Sequence, residues 1–154
     1  MMDEPLTFRP ACEADLFGIV EMLADDPLGE LREDLRAPLP EAYRAAFCAI
    51  ESDPNQLLVV AERNGALVGT LQLSLLPGLA RQGAWRGQIE AVRIARDHRG
   101  GKLGEAMFNW AIDECRARGC SLVQLTTDKA RPDAHRFYDR LGFEPTHVGY
   151  KLKL

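Results

Sequence analysis

Hydrophobic and polar positions change period several times along this chain, and each change marks an element. Leu6–Pro10 is a short β-type stretch. After Asp15, residues Leu16, Ile19, Val20 and Leu23 fall at i, i+3, i+4 and i+7, which predicts a helix capped by Asp15. Asp25–Pro40 is polar and contains Pro27, Gly29, Pro38 and Pro40, so it is expected to be irregular in part. Glu41–Glu51 returns to helical spacing, with Tyr43, Phe47 and Ile50 on one face, and Asp53-Pro54-Asn55 ends it. Two β-rich runs, Leu57–Glu62 and Leu67–Leu75, flank Arg63-Asn64-Gly65-Ala66, and Asn-Gly in that setting predicts a hairpin. Pro77–Gly87 is a break, and Gln88–Ile94 is the next strand. Leu103–Arg118 is a long helix with Leu103, Met107, Trp110, Ala111 and Cys115 at helical spacing, and Gly119 stands where a C-terminal cap belongs. Ser121–Thr127 reads as a strand, Pro132–Leu141 as a helix ended by Gly142, and the alternation of Val148–Leu154 as a last strand.

The predicted order is therefore β, α, α, β, β, β, α, β, α, β. The hairpin requires antiparallel pairing in the first half. The strand–helix–strand units of the second half require right-handed crossovers and some parallel pairing. An α/β chain of the α+β type follows, with a mixed, mostly antiparallel sheet and helices on both faces. At 154 residues and with no linker rich in Gly, Ser or Pro, it is expected to form a single domain over 1–154.

Composition narrows the function classes. A hydrophobic share of 46% and a charged share of 27% suit a soluble globular protein. No apolar run approaches the roughly 20 residues of a membrane-spanning helix. The opening Met-Met-Asp-Glu-Pro-Leu lacks the basic end and apolar stretch of a secretory signal. Cys12, Cys48, Cys115 and Cys120 form no C-x-x-C pair, so neither disulfides nor a metal site is expected, and a reduced, cytoplasmic setting is. The net charge of −4 argues against a general grip on nucleic acid or on an anionic membrane.

The chemistry concentrates in Arg99-Gly100-Gly101-Lys102-Leu103-Gly104, between a strand and a long helix. Glycines there allow close backbone approach, and the helix start adds free N–H groups and partial positive charge; the combination suits a phosphate. Arg93, Arg96, His98, Arg99 and Lys102 gather positive charge in the same short segment of an acidic chain. No P-loop string is present, and the glycines come too late for a Rossmann fingerprint.

Ile89–Ile94 followed by His98–Gly104 resembles the acetyl-CoA signature of the GNAT superfamily of N-acetyltransferases, R/Q-x-x-G-x-G/A at a helix start. Arg99 fills its first place, Gly104 its last, and Lys102 stands at the middle glycine. Ala134–Phe143 resembles the family's second motif, A-x-x-F-Y-x-x-L-G-F, and the place three residues before Ala134, often Asn in members, is Arg131. Thr7–Ala11 with Ala14 and Asp15 resembles the family's start. The resemblance implies splayed fourth and fifth strands. Acetyl-CoA would lie in that split, its pantetheine arm along the backbone of Val92 and Ile94 and its diphosphate on the N–H groups of Arg99, Gly100, Gly101, Lys102, Leu103, Gly104 and Glu105, with Arg93, Arg131 and His135 nearby. It further implies Tyr138 as the acid that protonates the leaving thiolate and a homodimer by family habit.

Acetyl transfer to an amine also needs a base and an oxyanion donor. Glu90 is the candidate base; strand alternation puts it on one face with Gln88, Val92 and Ile94 unless a bulge intervenes, and apolar neighbours there would suit that role. The Val92 N–H is the candidate oxyanion donor. Trp85 is a candidate border of the acceptor site, and Asp25, Asp26, Glu30, Glu33 and Asp34 would draw a cationic amine. Cys120 and Trp110 read as core. The expected function is acetyl-CoA-dependent N-acetylation of a small-molecule or peptide primary amine by direct attack in a ternary complex, without a metal. A binding-only acyl-CoA sensor or partner subunit is the alternative. A nucleic-acid module on the Arg93–Lys102 cluster is disfavoured by the net charge and the lack of interleaved aromatics.

Overall fold

The β-rich runs pair in sequence order. In the computed structural model, which describes residues 4–154, five strands form one sheet in the order β1-β2-β3-β4-β5. They are β1 (Thr7–Pro10), β2 (Gln56–Arg63), β3 (Ala66–Leu76), β4 (Trp85–Ile94) and β5 (Cys120–Gln124). The first four are antiparallel to their neighbours, and β5 runs parallel to β4. The helices are α1 (Leu16–Ala24), α2 (Glu41–Ser52), α3 (Leu103–Ala117) and α4 (Pro132–Arg140). The expected hairpin is present: Asn64 (φ 53°) and Gly65 (φ 72°) are both left-handed, as a two-residue turn between twisted strands requires. No helix is long and apolar enough to cross a membrane.

Alternation along the central strands divides the apolar residues between two layers. Val59, Ala61, Leu71, Leu73, Leu75 and Ile89 meet Leu103, Met107, Phe108, Ala111 and Cys115 of α3. On the other side α1 and α2 bury Leu16, Ile19, Val20 and Phe47. Helix α3 sits so close to the sheet that two glycines carry the contact. A Cβ at Gly69 would lie 2.5 Å from the Met107 sulfur, and one at Gly87 would lie 2.2 Å from Cys115 Sγ. Cys120 and Trp110 pack against this core as expected, Trp110 stacking on Phe8 at 5.3 Å between centroids.

Asp15 stands at the start of α1 as expected, but its side chain makes no cap bond to that helix. It ends a 3₁₀ turn, Glu13–Asp15, that leads into α1, and its carboxylate turns back to accept the Cys12 N–H at 2.8 Å. It also accepts two bonds from Arg9, at 2.7 and 2.9 Å, and Arg9 donates a third to Glu62 at 2.7 Å. The network ties β1, the turn and β2 together. The Arg9 guanidinium holds the Asp15 carboxyl at about 2, against an ordinary 3.8. A depressed carboxylate stabilises the fold above its unfolded pKa, and that stability is lost as pH falls from about 4 towards about 2. Because Asp15 is nearly buried, about 2 kcal/mol is at stake. Asp15→Asn should cost that amount in urea unfolding at pH 6 and progressively less below pH 4; an equal cost at both ends would contradict the linkage.

Apart from shifts of a residue at element ends, the last three expected strands differ from the observed ones. Strand β4 starts at Trp85 rather than Gln88, because Trp85–Gln88 finds partners in β5. Strand β5 ends at Gln124 rather than Thr127, because β4 and β5 diverge there. Val148–Leu154 forms no strand: residues 144–154 are exposed and have no regular pairing. Alternation reports that a segment can be half-buried in a sheet, but it does not supply the edge to pair with.

Candidate active site

The split between β4 and β5 is the centre of the site. Pairing between them stops at Gln88 opposite Gln124, whose side chains join at 2.9 Å, and Ile89–Ile94 continues without a β5 partner. A bulge then re-aims β4. Ala91 is left-handed (φ 53°), and the β3–β4 register slips between Gln72 opposite Glu90 and Thr70 opposite Arg93. The extra residue switches the parity. Glu90 and Arg93 both take the face of Gln88, while Val92 and Ile94 pack against the core. The expected shared face of Gln88, Glu90, Val92 and Ile94 is therefore corrected.

Glu90 lies exposed at the edge of an amide band, not among apolar residues. Gln88 donates to it from Nε2 and accepts from Gln124 with Oε1. Across the sheet, Gln56 Oε1 accepts from Gln72 Nε2 at 3.0 Å and Ser74 Oγ at 2.9 Å. Gln88 is thus engaged at both ends of its amide, between Gln124 and Glu90. The signal for this band was in the sequence, as Gln72 with Ser74 and Gln88 with Glu90 at i, i+2 in otherwise apolar strands.

Tyr138 is on α4, in an aromatic cluster with Phe108, Phe137 and Phe143 at 5.5–6.2 Å between centroids. Burial pushes its phenol up, and the positive charges of Arg131 and Arg93 partly offset that. The phenol is thus protonated, a donor, at neutral pH.

An acidic pair at the end of α1 gathers the arginines around the split. Asp25 pairs with Arg96 and with Arg99, the latter at 3.2 Å. Asp26 pairs with Arg131 at 2.8 Å and Arg93 at 3.4 Å, so it bridges β4 and the start of α4. Burial pushes the Asp26 carboxyl up, but the Gly29 N–H, Arg131 and Arg93 outweigh it and leave it below the usual range. Asp25 is held low by Arg96. Of the acidic residues expected to draw a cationic amine, Asp25 and Asp26 are committed to arginines, Asp34 pairs with Arg36, and Glu33 accepts from Tyr43. Arg32, which pairs with Asp128 at 3.8 Å, lies close enough to Arg93 for like charges to interact. Arg93 is mostly buried, and its Nε has no partner. Sequence reasoning missed the roles of Asp26 and Arg32, since nothing local marks a pairing between residues so far apart in the chain.

The glycine turn lies at the mouth of the split. Gly100 is left-handed (φ 84°). The Arg99 N–H bonds to Arg96 O and the Ala106 N–H to Lys102 O; among the described residues, the N–H groups of Gly100, Gly101, Lys102, Leu103, Gly104 and Glu105 have no backbone acceptor. Gly104 lets α3 approach Phe137 of α4, with a Cβ there 3.6 Å from the ring. The carbonyls of Val92 and Ile94 each accept from an arginine, Arg93 Nη1 at 2.9 Å and Arg99 Nε at 3.1 Å. The exposed edge of β4 is thereby capped. His135 stands beside the Asp128 carbonyl at 3.2 Å. Trp85 is at the closed end of β4, five residues from Glu90 or about 16 Å along a strand, and does not border the split.

A row of free N–H groups at a helix start, a split strand pair and a protonated phenol define an acyltransferase architecture. A model of the Acetyltransferase (GNAT) family matches residues 22–143, and the chain belongs to that family, whose members use acetyl-CoA. The aminoalkylphosphonate N-acetyltransferase of Salmonella typhimurium is 37% identical over 114 residues, 74% of this chain and 73% of that protein. Among solved structures, a transcriptional regulator from Bacillus halodurans has a TM-score of 0.94 and 47% identity, covering 97% of this chain and all of that one. A putative acetyltransferase from Agrobacterium tumefaciens has a TM-score of 0.81 and 29% identity, with 96% and 99% covered. The chain is accordingly an acetyltransferase of the N-acetyltransferase type.

Proposed function

We propose that this protein transfers the acetyl group of acetyl-CoA to a small primary amine that also carries a strongly acidic group such as a phosphonate. The observation that carries the acceptor reading is the arginine cluster: three guanidinium groups, Arg32, Arg93 and Arg131, face two carboxylates, Asp26 and Asp128, beside Tyr138. One positive charge is left over, and the orphaned Arg93 Nε asks for an acceptor. Planar forks of this kind suit phosphonate and carboxylate oxygens. The named substrate class of the Salmonella relative agrees with that chemistry.

The turn fits the donor. The N–H groups of Gly100–Glu105 would hold its diphosphate, with Lys102 adding charge, and the Val92–Ile94 edge would take the pantetheine arm as Arg93 and Arg99 give way or share the carbonyls. Acetyl-CoA supplies the activated acetyl group. Glu90 first takes one proton of the acceptor ammonium, through water, and the freed lone pair of the amine then bonds to the acetyl carbon. The Val92 N–H meets the charge on the acetyl oxygen. As the carbon–sulfur bond breaks, Tyr138 gives its proton to the departing thiolate, and the second proton leaving the nitrogen restores the phenol, so that the amide, the free thiol and one proton on Glu90 remain.

Two results test this reading. In an acceptor panel with matched chain lengths, an aminoalkylphosphonate should exceed the plain alkylamine at least about tenfold in kcat/KM, the order of one charge-assisted hydrogen bond. Arg93→Leu should erase the difference. Equal turnover of the two amines would overturn the acceptor assignment. Glu90→Gln should lower kcat about 100-fold, the lower range for a general base, while acetyl-CoA binds as before. Unchanged turnover would reject that role. The arginines near the split are already paired with Asp25 and Asp26, which leaves little basic surface for nucleic acid, and salt-dependent binding to DNA is not expected.

A further inference from the structure

The amide band leaves one oxygen over, and that oxygen belongs to the residue directly opposite Glu90. Gln72 and Glu90 are paired across β3 and β4. Their neighbours Leu71, Leu73 and Ile89 meet α3, so both side chains stand on the other face of the sheet. Residues paired in this way have Cβ atoms about 5 Å apart. The Gln72 amide is held in one orientation. Its Nε2 donates to Gln56 Oε1 at 3.0 Å, and Ser74 Oγ donates to the same oxygen at 2.9 Å. The nitrogen is therefore turned towards β2. The oxygen, on the other branch of the planar group, is turned away from β2, and β4 is the strand on that side. Among the described residues Gln72 Oε1 accepts no hydrogen bond, and it is not closed off from solvent. Glu90 has one carboxylate oxygen engaged by Gln88 and the other to spare. Two acceptors on one rung of a ladder repel each other unless a donor comes between them. This rung lies where β4 and β5 have just parted.

We propose that Gln72 is an acceptor-binding residue whose Oε1 receives an N–H of the amine, and that it selects primary over secondary amines. The inference deepens the proposed function and rests on its assignment of Glu90. The proton count carries the selectivity. A primary ammonium has three protons. One passes to Glu90 through water, and one leaves after attack and restores the Tyr138 phenol. The third stays on nitrogen as the amide N–H, and Gln72 Oε1 is the group that holds it throughout. As the lone pair attacks, the nitrogen gains positive charge, so its bond to a neighbouring oxygen strengthens in the transition state. An N-methyl amine has no third proton. Its methyl group would lie against Gln72 Oε1 and leave that oxygen unpaired, which is the strong form of discrimination available to a polar site. The acid group of the acceptor is read elsewhere on the same face, by Arg93, which stands opposite Thr70.

The test compares wild type with Gln72→Met, which keeps the length and volume of the side chain and removes its oxygen. Each is assayed with an aminoalkylphosphonate and a chain-matched alkylamine, and with the N-methyl analogue of both. Gln72→Met should lower kcat/KM about tenfold for the primary amines and leave the N-methyl analogues unchanged, so the preference for primary amines shrinks about tenfold. Gln56 Oε1 keeps the Ser74 donor, so the melting temperature and the calorimetric affinity for acetyl-CoA should match the wild type. An unaltered preference overturns the proposal. Equal losses on primary and N-methyl amines overturn it too, as does a loss that comes with weaker acetyl-CoA binding or a lower melting temperature, because Gln72 is then structural. A wild type that acetylates neither primary amine overturns it together with the reading it rests on. The Glu90 assignment fails on a different protein, Glu90→Gln, and the phosphonate assignment on the ratio of the two primary amines in the wild type, so each failure is distinguishable from a failure here.

Discussion

Replacing Tyr138 with phenylalanine should lower kcat by about 10²–10⁴-fold, the usual worth of a positioned proton donor, while acetyl-CoA binds as before. The two effects separate because the ring and the hydroxyl do different work. The ring belongs to the cluster with Phe108, Phe137 and Phe143, and phenylalanine keeps that packing. In the proposed mechanism the hydroxyl holds the proton that the departing thiolate needs. Burial raises the Tyr138 phenol above the ordinary 10, against the pull of Arg131 and Arg93, so the donor form persists well into alkaline solution. The sign is clear: an acid works below its pKa, and the wild-type rate should fall only at a pH above that of an ordinary tyrosine. The variant should lack that alkaline limb. Calorimetric titration with acetyl-CoA beside steady-state kinetics makes the comparison. Wild-type turnover in the variant would reject the acid role, and lost cofactor affinity would make Tyr138 a binding residue instead.

The largest expected effect on stability is at a residue with no side chain. Gly87→Ala places a methyl group 2.2 Å from Cys115 Sγ and 3.7 Å from Leu73 Cδ1, in the tight seam between β4 and α3. Overpacking of a core costs about 1–3 kcal/mol and sometimes more, and here the helix can retreat only by disturbing its other contacts with the sheet. The thiol itself is inert, its pKa pushed up to about 12 by burial, so the conflict is steric. Cys115→Ala removes the sulfur and leaves the remaining carbon 3.4 Å away, a tolerable distance. The double variant Gly87→Ala/Cys115→Ala should therefore be more stable than Gly87→Ala alone. Urea unfolding of the four proteins forms a double-mutant cycle; strict additivity would contradict the seam as described.

How much of this was legible beforehand follows from the range of each interaction. The hairpin at Asn64-Gly65, the helix starting at Leu103 and the caps at Gly119 and Gly142 rest on neighbours within one turn, and all stand where the pattern puts them. The glycine turn at Arg99–Gly104 was visible for the same reason. The bulge at Ala91 was not, because alanine gives no warning of a left-handed conformation, and so Val92 and Ile94 leave the face that simple alternation would share with Gln88 and Glu90. The acidic residues after α1 looked like bait for a cation. Their arginine partners at positions 93, 96, 99 and 131 are some seventy to a hundred residues away, and only the fold brings them together. The last segment had the right alternation, yet it lies exposed and pairs with no strand, although the outer edge of β5 is open.

The account rests on where the donor's phosphates sit. A crystal structure of the protein grown with coenzyme A should show the diphosphate oxygens within hydrogen-bonding distance of the N–H groups of Gly100–Glu105 and the thiol end in the split between β4 and β5, within reach of the Tyr138 hydroxyl. Phosphates held anywhere else, with that row of N–H groups facing only solvent, would contradict it.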